Sequence, residues 1–125
     1  MAWLLDTHAL LWWLLDDPRL EPAVVECLDD PASDVTVSVA TFWEVVIKQN
    51  LGKLDAPDDL EERVRAAGFD VLPIEVRHTT ALRRLPLLHS DPFDRMLLAQ
   101  TEADGFVLVT RDPAMDAYGV PLQRC

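Results

Sequence analysis

Four acidic residues stand where they would be costly unless they did chemistry. Asp6 closes the apolar run Ala2-Trp3-Leu4-Leu5, and Asp112 follows a second such run, Phe106-Val107-Leu108-Val109-Thr110, after Arg111. Glu44 lies among Phe42, Trp43 and Val45, and Asp94 lies three residues beyond Asp91 in Asp91-Pro92-Phe93-Asp94-Arg95. Partly desolvated like charges repel, and each carboxyl is pushed toward its neutral form unless something positive sits between them. A hard divalent cation is the simplest remedy, and Mg²⁺ or Mn²⁺ suits an all-carboxylate set. The chain has no His/Cys cluster with zinc spacing and no Ser/His/Asp or Cys/His arrangement. One or two hard cations need neither, because they activate water and clamp a phosphodiester for in-line attack. Lys48, Arg95 and Arg111 adjoin these acids and have the chemistry to hold phosphates.

Each acid also has an ordinary explanation. Asp6 or Thr7 can cap the helix that follows, and Asp91 is a good N-cap for the next helix but one before the end. Asp94 suits the positive end of a helix dipole. Glu44 and Lys48 are spaced i,i+4, a pair worth only ~0.2–0.5 kcal/mol on a helix surface. Lys48, Arg95 and Arg111 can pair with neighbouring acids on a crowded surface. Asp6 alone reads as a cap; Asp6, Glu44, Asp94 and Asp112 together read as a site.

The elements that would position them follow from the pattern. Continuous apolar runs at 2–5 and 106–110 predict strands buried on both faces, as in a parallel sheet. Residues 34–38, with Val35 and Val37, predict a second strand, 70–74 a third, and 120–123 a small last one. Helices are expected at 7–15, from Pro22 to about Leu28, at 40–51 ahead of Gly52, at 58–67 ahead of Gly68, at 76–85 ahead of Pro86, and from Asp91-Pro92 to Gly105. A short helical turn is expected at 113–118. Helices alternating with strands specify an α/β fold, a three-layer α/β/α sandwich around a parallel sheet. In such sheets ligands bind at the carboxyl ends of the strands, where the strand order reverses. Trp12 and Trp13 are adjacent and cannot both face the core of a surface helix. Either one meets a partner or second helix, or the helix is covered on two sides.

The 125 residues predict one domain, residues 1–125, with half of them hydrophobic and enough core to fold unaided. Cys27 and Cys125 match no metal spacing and predict no disulfide, which suits a reducing cytoplasm. The apolar start lacks a basic flank and is interrupted by Asp6 and His8, so neither a signal peptide nor a membrane association is expected. With 22 acidic and 11 basic residues the net charge is −11. That argues against an ordinary nucleic-acid binder with a basic footprint, but not against one that meets phosphates through metal ions. It also favours a basic protein partner.

Taken in order, the motifs resemble the PIN-domain family, and within it the VapC-type toxins of type II toxin–antitoxin modules. The resemblance covers nearly the whole chain: Leu5-Asp6-Thr7-His8 with Leu10-Leu11-Trp12; Val37-Ser38 with Phe42-Trp43-Glu44, Ile47-Lys48 and Leu51-Gly52-Lys53-Leu54; Leu85-Pro86, His89 and Asp91-Pro92-Phe93-Asp94-Arg95; Ala99-Gln100; Val109-Thr110-Arg111-Asp112 and Tyr118-Gly119-Val120. It implies a PIN-like sheet of order 3-2-1-4-5 and a catalytic, metal-binding set of Asp6, Glu44, Asp94 and Asp112. It implies Mg²⁺- or Mn²⁺-dependent cleavage of RNA, a homodimer and a cognate antitoxin. Thr7, Ser38, Lys48, Arg95, Thr110 and Arg111 are the candidate substrate-binding residues. Thr101 departs from the alanine common in the family, and Asp116 is an extra acid.

A non-toxin PIN nuclease that processes RNA is the nearest alternative. A receiver-type phosphoacceptor or interaction domain is a different class, and it requires a Lys after its last strand. The lysines here are Lys48 and Lys53. A haloacid-dehalogenase-type phosphatase requires a second Asp two residues after Asp6, where this chain has His8.

Overall fold

A computed structural model describes residues 2–125. The first apolar run forms β1 (Trp3–Leu5), the middle strand of a five-stranded sheet. It pairs in parallel with β2 (Val35–Ser38) on one side and β4 (Val107–Thr110) on the other, Leu5 lying opposite both Val37 and Val109. Beyond them lie β3 (Asp70–Leu72) and β5 (Leu122–Arg124), again parallel, so the order is 3-2-1-4-5. The order reverses between β1 and β4.

Side-chain alternation explains why these strands need two faces covered. Leu5, Val37 and Val109 enter one core with Leu10, Val24 and Val64, from α1 (Thr7–Leu14), α2 (Pro22–Asp29) and α4 (Leu60–Ala66). Leu4 and Leu108 enter a second core with Ala81, Leu97 and Leu98, from α5 (Val76–Leu82) and α6 (Pro92–Asp104). A side chain buried this fully contributes about 1.5–3 kcal/mol. The remaining helix, α3 (Val39–Asn50), sends Val45 to the first core and Ala40 to the second. The result is the three-layer sandwich expected.

Several elements are shorter than their apolar pattern suggests. The third strand stops at Leu72 rather than Ile74, because Pro73 has no N–H for the ladder. The fourth helix starts at Leu60 and the fifth ends at Leu82. The end of α6 is as read: Gly105 takes the left-handed conformation (φ 76°) that lets the chain turn into β4. The two tryptophans divide their roles. Trp13 packs on Phe69, with ring centroids 4.9 Å apart, and its indole N–H donates to Asp29 (2.9 Å). Trp12 lies under two arginines instead. Among the described residues no helix is long and apolar enough to cross a membrane.

Candidate functional site

Three strand ends and one helix start deliver the predicted acids to one edge of the sheet. Asp6 is the first residue after β1, and its N–H extends the ladder to Val109 O (3.0 Å). Asp112 lies two residues after β4, so both acids leave adjacent strands on the same side. Ser38 ends β2 and also caps α3, its Oγ accepting from Ala40 N (3.0 Å), so the chain passes from strand to helix without a loop. The second turn of that helix carries Glu44. Asp91 caps α6 by accepting from Phe93 N and Asp94 N (2.9 and 3.0 Å), which fixes Asp94 in the first turn.

Asp94 lies at the centre of this group. Its carboxyl is pushed up to about 6, first by burial and then by the negative charges of Asp91, Glu44 and Asp6, against the help of a hydrogen bond from His89. Asp6, only 5 % exposed, is also raised. Burial is the main cause, opposed by the Thr110 hydroxyl and the Ala9 amide, while Glu44 adds repulsion. His89 Nε2 is 2.8 Å from Asp94 Oδ2 and 3.9 Å from Asp112 Oδ2. Its pKa is raised, chiefly by that bond to Asp94. Ligand atoms of His89, Asp94 and Asp112 lie within 4.8 Å of one another.

The ordinary roles of these residues are present too, and they do not compete with convergence. Asp6 is the N-cap of α1, but only Oδ1 is used, accepting from Ala9 N at 2.8 Å. Thr7 is not the cap: its hydroxyl donates to Glu44 Oε1 (2.6 Å), while Lys48 Nζ pairs with Glu44 Oε2 (2.5 Å). Glu44, 3 % exposed, is therefore held on both oxygens. Lys48 is raised, chiefly by that bond, and also feels Asp91 and Asp94, so its ammonium faces the acids. Asp112 is half-exposed and caps the 3-10 turn Pro113–Tyr118 through Ala114 N (2.9 Å). Thr110 accepts from Asp112 N (3.1 Å).

Two candidate phosphate holders lie elsewhere. Arg95 Nη1 donates to Pro86 O (2.8 Å) and the Tyr118 hydroxyl (3.2 Å), which ties the loop before α6 to the 3-10 turn. Arg111 bonds the carbonyls of Arg19 and Cys125, beside the acids rather than among them. Asp116 pairs through both oxygens with Arg124 (3.0 and 2.9 Å). The residue that composition and spacing missed is His89. Its signal was a lone histidine five residues ahead of Asp94, in the segment leading into α6.

Two raised carboxyls beside Glu44 and Asp112 leave excess negative charge that Lys48 and His89 only partly offset. The donors are mainly hard carboxylate oxygens, with one imidazole, and a cation such as Mg²⁺ or Mn²⁺ fits that set. The raised acids carry a testable sign. A carboxyl raised in the fold favours the folded state at low pH, and that contribution is lost as pH rises from about 4 through about 6. Without metal, the melting temperature is expected to fall across that window. Asp94→Asn should flatten the slope, as read by melts in EDTA buffers from pH 4.5 to 7; an equal slope in the variant would remove Asp94 as its cause.

Comparison with known proteins agrees with this fold. A family model of the PIN domain matches residues 3–121. Ribonuclease VapC22 of Mycobacterium tuberculosis (strain ATCC 25618 / H37Rv) is 27 % identical over 125 residues, spanning 94 % of this chain and 92 % of the relative. The fold is similar to that in VapBC2 from Rickettsia felis bound to a promoter DNA fragment, with a TM-score of 0.74 and 14 % identity over 99 % of this chain and 98 % of that one. It is equally similar to DNA-bound VapBC from Salmonella typhimurium, with a TM-score of 0.74 and 18 % identity over 99 % and 98 %.

Proposed function

The chain belongs to the PIN-domain family, and from that premise we propose that it is a Mg²⁺- or Mn²⁺-dependent endoribonuclease, the toxin of a type II toxin–antitoxin pair. The observation that carries this reading is the crowding at the β1/β4 switch point, where Asp94 is raised first by burial and then by the charges of Asp91, Glu44 and Asp6, and where ligand atoms of His89, Asp94 and Asp112 lie within 4.8 Å of one another. Residues 1–125 act as a single PIN domain in the cytoplasm.

Asp6, Glu44, Asp94 and Asp112 are the residues that would hold the cation. When bound, Mg²⁺ or Mn²⁺ supplies positive charge against the phosphodiester and makes water a nucleophile near neutral pH. The rest is work for the chain. Asp6 offers the oxygen its capping bond leaves free, and the Thr110 hydroxyl steadies that carboxyl. Thr7 and Lys48 are positioning residues that fix both oxygens of Glu44. Lys48, whose ammonium feels Asp91 and Asp94 as well as Glu44, is the ammonium offered to a non-bridging phosphate oxygen. His89 orients Asp94 and limits its repulsion with Asp112.

The similarity to ribonuclease VapC22 and to the VapBC complexes supports a cognate antitoxin. So does the surface of α3, where Val39, Trp43 and Val46 are exposed at helical spacing. An exposed apolar stripe of that kind suits a protein partner, either the antitoxin or the second subunit of a homodimer.

Expression of the chain alone is expected to arrest growth of a bacterial host, and Asp6→Asn should relieve the arrest at equal protein level. Growth curves check this. Unimpeded growth with the wild-type chain would instead favour a PIN nuclease that processes RNA without acting as a toxin.

A further inference from the structure

We propose that Trp12, Arg19 and Arg111 form a subsite for an RNA phosphate next to the one that is cleaved. The inference rests on the ribonuclease reading and extends it to how the strand is held. A groove of about 360 Å³ is lined by Asp6 and Asp112 together with His8, Trp12, Arg19, Arg111 and Pro113. A strand with its scissile phosphate at the acids must pass its neighbouring phosphates along that groove or away from it.

The cationic cluster is built, not incidental. The guanidinium carbons of Arg19 and Arg111 lie 4.8 and 4.7 Å from the Trp12 ring centroid, within the range of cation–π attraction. Arg111 Nη2 donates to the carbonyls of Arg19 and of Cys125, the latter at 2.5 Å. Those bonds lock the group, and Arg111 pairs with no side-chain carboxylate among the described residues. Its Nε and Nη1 hydrogens have no acceptor there. Arg19 pairs with Asp17 (2.7 Å) through Nε and Nη2, leaving Nη1 free. Nε and Nη1 of Arg111 and Nη1 of Arg19 are therefore left to donate to a further anion.

The position says which anion. The chain carries −11 overall, and a polyanion approaching it meets repulsion nearly everywhere. A cationic cluster directly beside the catalytic acids lowers that barrier locally and sets the direction of the strand. A partner protein's carboxylate would meet the same donors but would have no reason to lie beside the acids.

The test uses the full chain and a fluorescein-labelled single-stranded RNA of mixed sequence. Binding is followed by anisotropy in EDTA from 50 to 200 mM NaCl, and cleavage in Mg²⁺. Arg111→Gln is expected to weaken RNA binding about tenfold, the order of one charge-assisted hydrogen bond. Its slope of log affinity against log salt should fall by about 0.7, as for one lost phosphate contact on a single strand. Cleavage should show raised KM with kcat largely kept, and Mn²⁺ affinity by calorimetry should be unchanged. Arg111→Lys should recover the salt slope but not the full affinity. The exposed Arg19→Gln should weaken binding a few-fold even if loss of the Arg111 bonds destabilises the other variant. Wild-type affinity and salt slope in both Gln variants, with RNA still cleaved, would overturn the subsite and leave the ribonuclease reading standing. A wild-type chain that neither binds nor cleaves RNA would overturn both. Variants that keep RNA affinity but change oligomeric state on gel filtration would reassign the cluster to a protein contact.

Discussion

Asp94→Asn is expected to cut RNA cleavage by orders of magnitude and, at pH 7 without metal, to make the protein harder to melt. Both effects come from one carboxylate. At pH 7 Asp94 is ionised in a place that pushes its pKa up to about 6, beside Asp91, Glu44 and Asp6. Asparagine keeps the shape and removes the charge, so the folded state sheds repulsion and desolvation while the unfolded state loses little. Solvent reaches part of the side chain, and the bond from His89 to the carboxylate is weakened, so the net gain is discounted to about 1 kcal/mol. That corresponds to a rise of roughly 3–6 °C for a domain of this size. Activity moves the other way, by about 10²–10³-fold or more, the scale of losing one preorganised electrostatic group. Opposite movement of stability and activity is the signature of a site that is strained for function. A variant that is inactive and also less stable would make Asp94 a structural residue of the α6 start. An active variant would remove it from the machinery.

The second large effect is reversal of that strain by metal. Adding Mg²⁺ to protein stripped with EDTA is expected to raise the melting temperature at pH 7. A ligand that binds only the folded state stabilises it by about 2.7 kcal/mol at one hundred times its Kd. Asp6→Asn and Asp94→Asn should lose most of this response, since each removes an oxygen donor of unit charge. The response should also shrink below pH 5, where Asp94 is protonated and protons compete with the cation. Thermal shift with and without Mg²⁺ reads all of this. An equal shift in Asp6→Asn would place the cation elsewhere on an acidic surface.

Much of the scaffold is visible in the chain because its signals are local. Leu4 and Leu5 are apolar with no polar alternation, and each faces a different core, so the run could only be a strand covered on both sides. The same holds for Leu108 and Val109 on β4. Once those two strands are placed, Asp6 and Asp112 must leave the sheet on one edge. Asp91 and Gly105 mark the ends of α6 by cap chemistry alone. What is not visible is contact between distant residues. The hydrogen bond from Thr7 to Glu44 joins positions 37 apart, and no periodicity encodes it. His89 has no partner by spacing and acquires two acids only when the segment before α6 folds back toward β4. Trp12 and Trp13 are equivalent in sequence, and only the placement of Arg19, Arg111 and Phe69 separates them. Asp6 is the most instructive case. Capping and site chemistry look like rival readings of one carboxylate, yet it has two oxygens, and the cap takes only Oδ1.

The most direct measurement is the fate of a single-stranded RNA incubated with the purified chain in Mg²⁺ and in EDTA, with the new ends identified. The four-acid account predicts cleavage in Mg²⁺ and none in EDTA. It also predicts fragments without 2′,3′-cyclic phosphate, because water and not the neighbouring 2′-hydroxyl attacks phosphorus. Cleavage that persists undiminished in EDTA, or that leaves cyclic phosphate ends, would contradict it.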